Sequence, residues 1–185
     1  MLDSYSVRTV RAFLCLLFFA SGVRADAKIS EIKVDLDGDR ILASFTLRDA
    51  FDRRLSERVE SGLPTTILYR FELHRDRKRW YDRRLRDNTL EVVAVHDAVA
   101  RAYTVHFKLD GELIESRTVR DREDLEAAMT RVERLPVFTV EGLPRIRRLL
   151  LKVQAELGSR TILSFIPATI HTDWRESRKF RIPAS

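Results

Sequence analysis

The 185-residue chain carries 34 Lys and Arg against 28 Asp and Glu, a net charge of +6, with one cysteine and six glycines. A single cysteine excludes an internal disulfide framework and a cysteine-rich metal site. So few glycines leave no GxGxxG phosphate loop.

The first 25 residues read as a secretory signal peptide. Arg8 and Arg11 supply the positive start, Ala12–Ala20 (AFLCLLFFA) is uninterrupted and apolar, and Val23-Arg24-Ala25 offers small residues where a signal peptidase reads. A permanent span needs about 20 apolar residues, more than this run supplies. Cys15 sits inside the apolar run rather than at a lipoprotein cleavage point. Cleavage after Ala25 and release into a bacterial periplasm is therefore expected, with an uncleaved tether as the alternative. What remains, Asp26–Ser185, is 160 residues. That is one domain of ordinary size, long enough to bury a core without staples and with no transmembrane span left.

The charge is uneven. Residues 26–185 carry +4, and Arg75–Arg86 (RDRKRWYDRRLR) alone carries +5, so the rest of the domain is near −1. Concentrated charge of this kind attracts anionic partners.

In chain order, Ile32, Val34 and Leu36 alternate with polar residues, and Asp37-Gly38 marks a tight turn. Ile41, Ala43, Phe45 and Leu47 continue the period of two, so Val34 is expected opposite Ile41 and Ile32 opposite Ala43. Asp49 is a candidate N-cap for a helix with Phe51, Leu55 and Val59 on one stripe, ended by Gly62 and Pro64. Ile67, Tyr69, Phe71 and Leu73 form a third strand that runs into the basic segment. That segment reads as a hairpin tip or as the extended ends of two strands. Leu90, Val92, Ala94 and His96 then face Tyr103, Val105, Phe107 and Leu109 across a turn near Asp97–Ala100, with Ala94 expected opposite Tyr103. Leu113–Val119 is a weaker strand. Asp121 caps a second helix carrying Leu125, Ala128, Met129, Val132 and Leu135, which Pro136 is expected to stop. Ile146–Leu157 fits both periods, and the alternation with Lys152, Gln154 and Glu156 favours a strand over a helix. Arg178–Ile182 reads as a charged edge strand. These elements predict a single-domain antiparallel β-rich α+β fold, sandwich-like, with two short helices.

The search for chemistry yields no catalytic, metal or cofactor set. His96 and His106 flank one hairpin but fall on opposite faces, so they cannot share a metal. No GxSxG elbow occurs. Asp82, Glu91 and Asp97 are carboxylates available for acid/base work, and surface ion pairing is the plainer reading of them. The basic segment is the lead. Arg75, Arg77, Lys78, Arg79, Arg83, Arg84 and Arg86 surround Trp80 and Tyr81, and Trp174 stands among Arg175, Arg178, Lys179 and Arg181. Arginine binds phosphate and carboxylate bidentately, and aromatic rings suit an interface. If the two stretches meet in the sheet, they form one basic-aromatic surface; otherwise the arginine stems cover apolar area. An export leader argues against nucleic acid as the partner.

The helix stop Ser61-Gly62-Leu63-Pro64, the Arg-rich segment with Trp80, the Tyr103 strand, the Leu149–Leu157 strand and Ile166-Pro167 before Trp174 together resemble a bacterial envelope family, domain of unknown function 4390. The resemblance implies a strand at 146–157, an envelope location and a membrane-protein partner such as the periplasmic region of a sensor kinase. It carries over no catalytic residues. The leading expectation is a non-enzymatic periplasmic interaction domain that docks an anionic envelope component through Arg75–Arg86. An envelope enzyme acting on an anionic polymer and a structural accessory without specific ligand are the alternatives.

Overall fold

A computed structural model describes residues 27–76, 83–143, 148–162 and 166–183, and of positions 54, 159–162 and 166–169 the backbone alone. The leader prediction over 1–25 lies outside the described residues. The elements are β1 (Lys28–Ile29), β2 (Lys33–Asp37), β3 (Arg40–Arg48), α1 (Arg53–Glu60), β4 (Thr65–Arg75), β5 (Arg83–Asp97), β6 (Ala102–Leu109), β7 (Glu112–Val119), α2 (Arg122–Thr130), β8 (Arg131–Thr139), β9 (Leu149–Ile162), β10 (Ile166–His171) and β11 (Arg175–Glu176). They form two antiparallel sheets. In the smaller, β3 is the hub and pairs with β1, β2 and β8. In the larger, the order is β10-β9-β4-β5-β6-β7, with β11 also on β9. The fold is α+β with sandwich-like sheets, as the alternation predicts. Among the described residues, no helix is long and apolar enough to cross a membrane.

Period-two alternation builds the core directly. Ile67, Tyr69, Phe71 and Leu73 of β4, Val92 and Ala94 of β5, and Leu149, Leu151, Val153 and Ala155 of β9 are all fully buried. Facing them, Ile41, Ala43, Phe45 and Leu47 of β3 are buried too. The Phe45 ring meets Tyr69 edge-on at 5.3 Å and Phe71 at 6.0 Å, joining the two layers. The buried Tyr69 hydroxyl donates to the Met129 carbonyl at 2.8 Å, which satisfies the one polar atom this ring brings inside.

Both hairpins keep the expected faces but shift their register by two residues. Val34 lies opposite Ala43 and Leu36 opposite Ile41, with Gly38-Asp39 as the turn. The reason is Gly38, whose φ of 59° supplies the left-handed first turn position of a primed turn. In the second hairpin, Ala94 lies opposite Val105 and Asp97 opposite Ala102. There the Asp97 carboxylate accepts the Val99 and Ala100 N–H groups, and Arg101 takes a left-handed φ of 48°. A shift of two leaves every side chain on its original face.

The helices correct two expectations. The cap of α1 is Asp52, whose Oδ1 accepts the Leu55 N–H at 2.9 Å, not Asp49. Asp49 instead turns the chain with a φ of 58°. Asp121 does cap α2, but the helix ends at Thr130 rather than running to Pro136. Residues 131–139 form β8 instead, with Val132 buried opposite Phe45. The flank of β3 needs a hydrogen-bonding partner, and that tertiary demand outweighs a helical spacing. Pro136 is accommodated because β8 is an edge strand and the register slips beside it.

The strand reading of 146–157 holds in β9, paired with β4 from Arg75–Leu149 to Leu68–Glu156. The expected strand at 178–182 is reduced to one bridge, in which Phe180 and Leu149 exchange two N–H···O bonds of 2.9 Å. Strands β1, β8, β10 and β11 add to the expected set.

Candidate functional site

The basic segment grows out of the central strands of the larger sheet. β4 and β5 pair out to Arg75 opposite Arg83, which fits the reading of extended strand ends. Arg77, Lys78, Arg79, Trp80 and Tyr81, with Asp82, lie outside the described residues. Arg75, Arg83, Arg84, Arg86 and Trp174 lie within them.

Those five do not share one environment. Arg83 is exposed and makes no ion pair among the described residues. Arg75 lies between Arg83 on one flank and Leu149 on the other. Arg84 donates to Glu72 Oε1 at 3.1 Å. Arg86 turns the other way: its Nη1 donates to the Thr139 carbonyl at 3.0 Å and to Thr139 Oγ1 at 3.2 Å, and its Nη2 donates to the Glu141 carbonyl. This guanidinium clamps the turn after β8.

Of the late basic stretch, Lys179 reaches the strand ends and Trp174 does not. Lys179 Nζ pairs with Asp76 Oδ2 at 2.9 Å, and the Asp76 side chain is only 10% exposed. Trp174 precedes β11, whose Arg175 lies opposite Val153, itself opposite Phe71. Two strand spacings and four residues of rise separate that level from Arg75, roughly 16 Å. Trp174 therefore does not join the strand ends. It lines a separate cleft of about 430 Å³ with Lys28, Ile29 and Leu157.

A polar cluster on the outer face of β4 escaped the sequence reading. His74 Nε2–H donates to Glu72 Oε2 at 2.7 Å, while Arg84 holds the other carboxylate oxygen. His74 is buried and its Nδ1 has no hydrogen-bond partner among the described residues. The signal was present as Glu72 and His74 at i, i+2. What the spacing could not give was the cross-strand neighbour, because a register shift between Leu73 and His74 sets Arg84 opposite His74.

Burial pulls the Glu72 carboxyl pKa upward, but the hydrogen bonds from His74 and Arg84, with their charges, outweigh it and hold the group below its ordinary value of 4.5. A depressed carboxylate stabilises the fold above its unfolded pKa, and that contribution is lost as pH falls through the folded one. Wild type is therefore expected to lose part of its stability below about pH 4.5, and Glu72→Gln to lose less over the same window. Urea midpoints for both proteins between pH 7 and pH 3 check this; parallel curves would refute the coupling.

The carboxylates considered for acid/base work do not converge. Glu91 lies opposite Leu68 and Lys108 within the sheet. Asp97, six residues further along β5, is about 20 Å away and organises its own turn. His96 stacks on Tyr103 at 4.6 Å, whereas His106 bonds Ser116 Oγ from the other face. Among the described residues, no three His, Cys, Asp or Glu side chains gather as metal ligands.

Fold and site together define a two-sheet, strand-rich α+β domain with arginines gathered where its central strands end. The chain belongs to the family described as domain of unknown function (DUF4390), which matches it over residues 24–173. Among curated proteins and among solved structures, nothing matches it.

Proposed function

We propose that this protein is an exported, non-enzymatic interaction domain of the bacterial envelope. It docks an anionic partner through the Arg75–Arg86 segment, with a membrane protein's periplasmic face as the favoured partner. The leader supports export. The observation that carries the docking is the +5 of this one segment against a remainder near −1. Arg75 and Arg83 lie directly opposite one another, so charge is concentrated where the two strands end. Arg83 and Arg84 are exposed there, as a surface that attracts anions requires.

The test is photo-crosslinking in living cells with a photoreactive residue in place of Tyr81. A discrete protein adduct is expected. A variant with Arg77, Arg79, Arg83 and Arg84 all replaced by Ser, shown by circular dichroism to be folded, is expected to lose it. An undiminished adduct from that variant overturns the reading, and labelling confined to lipid or glycan overturns the membrane-protein partner.

A further inference from the structure

We infer that β7 is a self-association edge, at which a second copy of this chain pairs antiparallel with the first about Ser116. Among the described residues, β7 is the outer strand of the larger sheet, bonded on one side only, to β6. Residues 112–118 are exposed, Leu113 by 60% and Ile114 by 47%. Such an edge presents unpaired N–H and C=O groups ready to accept another strand.

What selects a second copy is the order of charges. The stretch Glu112-Leu-Ile-Glu115-Ser116-Arg117-Thr-Val-Arg120 inverts its charges when read backwards about Ser116. Antiparallel pairing on that dyad sets Glu115 opposite Arg117 of the second copy, and Arg117 opposite its Glu115. The pairing is confined to Glu115–Arg117 of each copy, because the extra residue Ile114 breaks the register before Leu113 and Glu112. Opposite charges directly across a pair stabilise it. A foreign strand would need the same pattern, which this chain already carries.

The cis contacts are compatible with that arrangement. Glu115 and Arg117 pair within the strand, with Nη2 to Oε2 at 2.9 Å, and the Arg117 guanidinium lies 4.7 Å from the Phe107 ring centroid. Both side chains are thus fixed on one face, about half exposed. A second copy adds the same pair in reverse and makes a four-charge square. The ladder with β6 slips between Phe107–Glu115 and Lys108–Leu113, leaving Ile114 as an extra residue. A bulge of this kind confines regular pairing to the residues around Ser116, which favours a closed pair over open stacking.

The experiment uses the full chain with Cys15→Ser, so that an introduced cysteine is the only thiol. Directly opposed Cα atoms in antiparallel strands lie about 4.5–5.5 Å apart, within disulfide range. Ser116→Cys is therefore expected to give a covalent dimer on mild oxidation. In the Cys15→Ser chain with Ser116 intact, Glu115→Arg alone and Arg117→Glu alone each oppose like charges across the dyad. Each is expected to weaken dimerisation about tenfold or more by sedimentation. Mixing these two variants restores both cross-strand pairs only in the mixed dimer, so native mass spectrometry of the mixture is expected to show heterodimer in excess of either homodimer. Loss of the cis pair cannot produce that result, because each variant still lacks it. A monomer at about 100 μM, or a mixture without heterodimer, overturns the inference.

Discussion

Phe45→Ala is expected to destabilise the protein by about 3–5 kcal/mol, read as a lowered urea midpoint with little change in slope. The ring is 4% exposed and touches Tyr69 and Phe71 at once. Its loss removes buried apolar area and leaves a cavity between two sheets that cannot easily close. Tyr69 is held by its bond to the Met129 carbonyl, and Phe71 is fixed in a strand paired on both sides by β5 and β9. Domains of this kind are stable by only about 5–15 kcal/mol, so the variant sits near the edge of folding. Phe45→Leu refills part of the space and is expected to cost less. A loss below about 1 kcal/mol for the alanine variant would mean the layers do not depend on this contact.

Arg86→Ala is expected to cost about 1.5 kcal/mol and to loosen the chain locally. The guanidinium serves three acceptors across Thr139 and Glu141, and hydrogen bonds to charged groups are worth about 1.5–3 kcal/mol. Partial exposure places this case at the lower end. Arg86→Lys is expected to recover little, because a point ammonium cannot span acceptors that a planar fork reaches together. Faster amide exchange at residues 137–143 checks the local effect. Arg86 sits among the segment's cations by sequence, yet its contacts are those of an anchor. Its removal should therefore leave the photo-crosslink at position 81 intact, in contrast to the serine variant at 77, 79, 83 and 84.

Sequence pattern reached different features to different depths. Face assignment was legible because strand side chains alternate strictly, so Ile67 to Leu73 and Leu149 to Ala155 announce their burial. Exact register was not, since it depends on which residue takes a positive φ, and Gly38 and Arg101 decided that locally. β8 was hidden because Leu125, Ala128, Met129 and Val132 match a helical stripe. Only the need of β3 for a partner, set by residues far away in the chain, makes 131–139 a strand. The candidate site was legible as charge and no further. Charge counts cannot distinguish Arg86, bonded to carbonyls, from Arg83, facing solvent. Nor can they foresee that Lys179, rather than Trp174, reaches the strand ends.

The pairing of β3 with β8 also sets an order of events. Arg40 meets Thr139 and Thr46 meets Arg131, partners about half the chain's length apart. Until about a hundred further residues are in place, one side of β3 has no native neighbour. Contacts of such long sequence separation slow folding, because loop closure must come first. Until residues 131–139 dock, the β8 flank of β3 is thus an unpaired edge, open to pairing with a strand of another chain.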